Sequence, residues 1–161
     1  MIVVTDTSVV LNLCCLKQEK LLSDLFGTVV APPEVAREFQ RLASIDKRFL
    51  GLTFPAFIRI IAPLEIAQAL SGNQKLHAGE VDALSLAIEQ KADAVLMDES
   101  AGRAAATALG LHCVGILGIL IQSKSVGLLL EITLFLDDLE SKAGFWIGPP
   151  LRRRVLDLVR E

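Results

Sequence analysis

Histidine and cysteine are scarce in this chain of 161 residues, at two and three copies, and their placement removes several chemistries. His77 and His112 belong to no H-x-x-x-H pair and to no Cys/His cluster, which argues against a tetrahedral zinc site. Cys14, Cys15 and Cys113 form no C-x-x-C pair, and an odd count with two adjacent members makes a poor disulfide framework. They read as buried free thiols. Neither G-x-x-x-x-G-K-[S/T] nor G-x-G-x-x-G follows a strand candidate, so the common phosphate-cradling nucleotide folds are excluded. Long hydrophobic runs are missing too: Leu111 to Ile121 and Val126 to Leu136 fall short of the ~20 residues of a spanning helix, and Glu131 interrupts the second. No membrane segment is expected. The opening Met1-Ile2-Val3-Val4-Thr5-Asp6 has no basic region and meets an acid at once, so it does not read as a signal peptide, and the expected location is the cytoplasm. Internal repeats, low-complexity tracts and linkers are absent.

Apolar residues are plentiful. They make up 52% of the chain against 22% charged, with mean hydropathy +0.52. That is apolar for a soluble protein of this size and suggests surface buried beyond one monomer's core, so a homodimer is expected. The length suits one domain, taken as residues 1–161, able to bury a core without disulfides. A net charge of −3 argues against broad attraction to nucleic acid and leaves room for local basic patches.

Short apolar runs alternate with amphipathic stretches. Ile2 to Thr5 reads as a buried strand ending on Asp6-Thr7-Ser8, and a helical stretch follows to about Phe26. Gly27 restarts the chain into the strand Thr28 to Ala31, and Pro32-Pro33 opens a helix through Leu42. Residues 43–57 read as irregular, Phe57 to Ala62 as a strand and Leu64 to Leu70 as helical. A helix carries Glu80 to Lys91, Ala94 to Met97 is a buried strand stopping on Asp98, and a helix from about Glu99 to Leu109 ends at Gly110. Leu111 to Val114 is a further strand candidate, and the remainder is mostly helical, with the apolar segment 128–136 expected in the core. Fully apolar strands alternating with helices predict an α/β fold, a three-layer α/β/α sandwich with a central parallel sheet.

In such sheets ligands sit beyond the carboxyl ends of the strands, where Asp6 and Asp98 both fall. A single strand-end Asp is as readily a helix N-cap; two of them favour a shared cation. At about 100° per residue, Leu84, Ala87 and Ile88 share a face with Glu80, while Asp82, Ser85 and Glu89 lie opposite. A carboxylate aimed at the core needs a partner. A shifted helix boundary would exchange Glu80 for Asp82, so both are candidates for one position. Glu38 flanks the stripe Val35, Phe39, Leu42, with Arg37 and Arg41 on the other side. Carboxylates forced together raise each other's pKa, and a hard divalent cation, Mg²⁺ or Mn²⁺, is the usual compensation.

Four segments in order resemble the PIN-domain ribonucleases, the family that includes the toxin nucleases of many prokaryotic toxin-antitoxin pairs. They are Val4-Thr5-Asp6-Thr7-Ser8, Pro33-Glu34-Val35-Ala36-Arg37-Glu38, Gly79-Glu80-Val81-Asp82-Ala83-Leu84 and Leu96-Met97-Asp98-Glu99. Gly102-Arg103 and Gly115-Ile116-Leu117-Gly118 look like one poorly characterised subfamily. The resemblance implies a PIN-like fold, a metal-dependent endoribonuclease, and Asp6, Glu38, Glu80 and Asp98 as metal-binding catalytic acids, with Ser8 as an orienting hydroxyl. It also implies an RNA substrate and a small antitoxin partner. Arg37, Arg41, Lys47, Arg48 and above all Arg103 are the candidate RNA contacts, and Arg152-Arg153-Arg154 could serve RNA, a partner or solubility. Many members carry Thr or Ser two residues before the last acid and another acid two residues after it. Leu96 and Ser100 stand there instead, which motivates a rival reading: a catalytically weak module that binds RNA or a protein. A haloacid-dehalogenase phosphatase would want a second Asp where Ser8 stands.

Overall fold

The computed structural model describes all residues from Met1 to Glu161. Its β-branched and aliphatic runs form β1 (Ile2–Thr5), β2 (Thr28–Ala31) and β4 (Ala94–Leu96), which are almost wholly buried, as strands covered on both faces must be. β3 (Arg59–Ile60) and β5 (Cys113–Val114) are short edge strands. All five pair in parallel in the order β3-β2-β1-β4-β5. The chain runs outward from β1 through β2 to β3, returns to β4 beside β1, and continues to β5. The winding direction therefore reverses between β1 and β4, the place where open parallel sheets form a crevice.

Successive β1 residues point to opposite faces. Val3 joins one core with α1 (Thr7–Cys15), α2 (Lys20–Phe26), α3 (Pro33–Ile45), α6 (Ile116–Ser125), α7 (Thr133–Ser141) and α8 (Pro149–Val159). Val4 joins the other, with α4 (Ala78–Glu89) and α5 (Ser100–Ala108). The result is the α/β/α sandwich with a central parallel sheet. No helix is long and apolar enough to cross a membrane.

Five local expectations need correction. The helical stretch to Phe26 is two helices, separated at Lys17 (φ 57°), where the Gln18 N–H closes on the Leu13 carbonyl at 2.8 Å. This turn lets Leu13 on α1 and Leu22 on α2 enter one core. The strand over Phe57 to Ala62 shrinks to Arg59–Ile60, because an edge strand has only β2 to pair with. Leu64 to Leu70 is helical only as one 3-10 turn, Gln68–Leu70, since the Glu89 carboxylate takes the Leu64 and Glu65 N–H groups and the Ser85 hydroxyl takes that of Ala67. Segment 128–136 is helical only from Thr133, and it is divided: Ile132 and Leu136 are core while Leu130 and Leu134 are exposed. The helix on Glu80 also turns Ser85 inward and Ile88 outward, the reverse of the expected faces.

Candidate functional site

β1 stops at Thr5 and leaves Asp6 in extended backbone, where its carboxylate caps α1 by accepting the Val9 N–H at 3.1 Å. The Ser8 hydroxyl donates to the same carboxylate at 3.3 Å. Asp6 is only 4% exposed. Burial holds its carboxyl well above the usual carboxylate range; the Val9 bond and Ser8 oppose this, and the charges of Asp98 and Glu80 add to it. Asp6 is thus both the N-cap and a member of a mutually repelling group of acids.

The Asp6 N–H donates to the Leu96 carbonyl at 3.0 Å, tying it to the strand that delivers Asp98. Asp98 is half-buried, and its carboxylate accepts the Ile116 N–H at the start of α6 at 3.1 Å. Burial raises its pKa most, with the Ile116 bond and Arg103 pulling down and Glu99 pushing up. The backbone between Asp98 and α6 has no room for a side chain, since a Cβ on Gly115 would overlap Asp98 Oδ1.

Glu80 lies in the first turn of α4 and is 5% exposed. Its Oε1 accepts the His77 N–H at 2.9 Å, while its Oε2 is buried with no partner. Burial pushes its pKa up, the His77 bond opposes that, and the Glu99 charge adds to it. A Cβ on Gly102 of α5 would stand 2.6 Å from that free oxygen. Glu38 comes in from α3, half-buried, and accepts the Thr7 hydroxyl at 3.2 Å.

Asp6, Ser8, Glu38, Glu80, His77 and Glu99 line one cleft of about 280 Å³ at the crevice between β1 and β4. Asp98 lines the adjoining hollow with Arg103, and Phe145 borders both. Asp82 is placed elsewhere: it is half-buried beside Glu34 and Arg37, and burial raises its pKa most, with the Glu34 charge adding to this and Arg37 opposing it. Of the two alternatives on α4, only Glu80 reaches the cleft. Among the expected RNA contacts, Arg37 is engaged by Glu34 at 2.6 Å, and Arg48 is held by Asp46 and the Ala143 carbonyl. Arg41 lies beside Glu38 without an ion-pair partner, and Arg103 gives one donor to the Met97 carbonyl at 3.2 Å.

Sequence reasoning left His77 and Glu99 out of the site. Their ligand atoms and that of Glu80 all lie within 4.8 Å of one another. The signals were slight, an acid directly after Asp98 and a histidine three residues before Glu80, and their meaning depends on α4 meeting the start of α5. The donors present fit a divalent cation. A buried carboxylate oxygen lacks any hydrogen bond, and acids that raise one another's pKa are relieved by a positive charge held among them.

Among curated proteins and among solved structures, nothing matches this chain. The family model described as a PIN domain matches residues 2–161. PIN domains are generally metal-dependent nucleases, in keeping with an acid-lined crevice at the reversal of a parallel sheet. With nearly its whole length matched, the chain belongs to the PIN-domain family.

Proposed function

We propose that this protein is a divalent-metal-dependent endoribonuclease whose catalytic centre is formed by Asp6, Glu38, Glu80 and Asp98. The observation that carries the reading is the buried, unpartnered Oε2 of Glu80, in a crevice where burial, and then the charges of Asp98 and Glu80, already push Asp6 toward protonation. Mg²⁺ or Mn²⁺, when bound by these acids, supplies water activation and stabilises the charge that builds on the phosphate during hydrolysis. The chain's own groups set the geometry. Val9 N–H and Ser8 hydroxyl orient Asp6, Thr7 orients Glu38, and the start of α6 orients Asp98. Arg41 and Arg103 stand beside the cleft and its neighbouring hollow, suited to RNA phosphates, whereas Arg37 is already committed to Glu34.

The reading extends to a cytoplasmic toxin, formed by one domain over residues 1–161, held as a homodimer and restrained by a small antitoxin. The exposed apolar side chains Leu130, Leu134 and Trp146 are suited to a protein partner. One sequence observation favours the alternative of a catalytically weak binding module: Ser100 stands where many members of the family have a further acid. Cleavage of single-stranded RNA with Mn²⁺, compared between wild type and Asp6→Asn, separates the two. Cutting by the wild type that Asp6→Asn loses is the expected result. RNA binding with equal or no cutting in both would establish the binding module.

A further inference from the structure

The geometry points to a nitrogen-containing cation position at the mouth of the cleft, held by His77 Nε2 with the carboxylates of Glu80 and Glu99, that takes Mn²⁺ in preference to Mg²⁺. It rests on the cation-binding half of the proposed function and is independent of RNA cleavage. Three local features create it. His77 is the extended N-cap residue of α4, and its side chain is exposed at the helix start. Glu80 follows one turn later, and Glu99 occupies the equivalent position before α5. The packing of α4 and α5 on the same sheet face brings the three ligand atoms within 4.8 Å of one another.

A shared ion with bonds of about 2.0–2.2 Å holds three donors roughly 3.0–3.8 Å apart, so the three groups, within 4.8 Å of one another, must close by up to about an ångström or somewhat more. Two of them are free to do so, since the side chains of His77 and Glu99 are 69% and 54% exposed. The simpler account is a surface ion pair, His77 Nε2 to Glu99 Oε2 at 3.7 Å, of the kind worth little in water. That account leaves the third member unexplained. Glu80 is 95% buried, by the 5% exposure above, and its Oε2 has no hydrogen-bond partner. A cation bound by Glu80, whether in the four-acid centre or with His77 and Glu99, satisfies that carboxylate; an ion pair beside it does not. The imidazole sets the ion class. Mg²⁺ favours an all-oxygen octahedron, while a mixed nitrogen and carboxylate set suits first-row transition ions. Sharing Glu80 with the four-acid centre would make occupancy of the two positions interdependent.

The test uses the full chain without RNA. Mn²⁺ is titrated by electron paramagnetic resonance, and pulsed spectra of the bound ion are examined for ¹⁴N modulation from a coordinated imidazole. We expect one ¹⁴N coupling in the wild type, lost in His77→Gln together with a fall in Mn²⁺ affinity of about tenfold or more, with Mg²⁺ affinity nearly unchanged. Glu99→Gln should weaken Mn²⁺ binding similarly. Both side chains are exposed, and circular dichroism checks that the variants keep the fold. No ¹⁴N coupling in the wild type, or equal Mn²⁺ affinity in His77→Gln, would overturn the proposal, as would a coupling that survives His77→Gln and disappears in His112→Gln. RNA left uncut by a protein that shows the His77 coupling would instead count against the nuclease reading alone.

Discussion

Asp6 combines two roles that make opposite demands on its carboxylate. As the cap of α1 it must accept the Val9 N–H, and as a buried acid near Glu80 and Asp98 it is driven to hold a proton. Asparagine caps a helix about as well as aspartate and carries no charge. Asp6→Asn should therefore raise the melting temperature of the metal-free protein at pH 7 to 8 by a few degrees while lowering RNA cleavage by roughly 100-fold or more. A lower melting temperature with cleavage intact would reduce Asp6 to a cap. The same buried acids set a pH dependence. A carboxylate with a raised folded-state pKa binds its proton more tightly in the folded chain, so stability falls as pH climbs from the ordinary value, 3.8 for Asp and 4.5 for Glu, through the raised one. Metal-free melting temperatures should accordingly decline from about pH 4 upward over that window, and Glu80→Gln should flatten the decline. Glutamine can still accept the His77 N–H, so the variant keeps its place in α4.

At the scale of elements, helix starts organise both the site and the edge of the fold. α6 presents its first N–H to Asp98 because Gly115 leaves space for the carboxylate. Gly115→Ala should push the Asp98 side chain aside and weaken divalent-cation binding about 10- to 100-fold, measured by titration calorimetry, with a smaller effect on stability because the displaced group is a flexible side chain. α7 is started differently: the Glu161 carboxylate accepts the N–H groups of Ile132 and Thr133, the Thr133 hydroxyl, and Lys124 Nζ at 2.7 Å. Those bonds overcome its partial burial and hold its pKa down at about 2. Its contribution is complete above the unfolded value near 4.5 and is lost as pH falls through about 2, the reverse of the buried acids. Glu161→Ala should cost about 1–2 kcal/mol at pH 7 by chemical denaturation.

For the whole molecule, the proposed function makes folding and ion binding in the acidic crevice one equilibrium. Mg²⁺ or Mn²⁺ at about 100 times its dissociation constant should stabilise the fold by about 2.7 kcal/mol, seen as a rise in melting temperature that chelator reverses. The net charge of −3 leaves RNA affinity to a few local cations. If Arg41 and Arg103 each neutralise one phosphate, replacing both with alanine should flatten the slope of log affinity against log salt by about 1.4 for single-stranded RNA, and Arg37→Ala should change it little because Glu34 already holds that guanidinium. A slope unchanged in the double variant would place the RNA path elsewhere.

The amino-acid pattern by itself determined the layered α/β architecture, because short apolar strands separated by helices have few ways to bury both sheet faces. It also brought out Asp6 and Asp98, since a strand that ends on an acid is visible in one dimension, and Glu80, whose place among Leu84 and Ala87 is an interruption of local periodicity. Positions 128–136 and 64–70 were misread because their backbone donors are met by distant carboxylates, Glu161 and Glu89, which no local pattern announces. Only the tertiary structure placed Glu80 in the cleft and Asp82 outside it, brought His77 near Glu99, and separated a paired Arg37 from an unpaired Arg41. Those outcomes depend on distances between side chains from different helices, set by how α3, α4 and α5 pack on the sheet, whereas a sequence specifies directly only what neighbouring residues along one element can do.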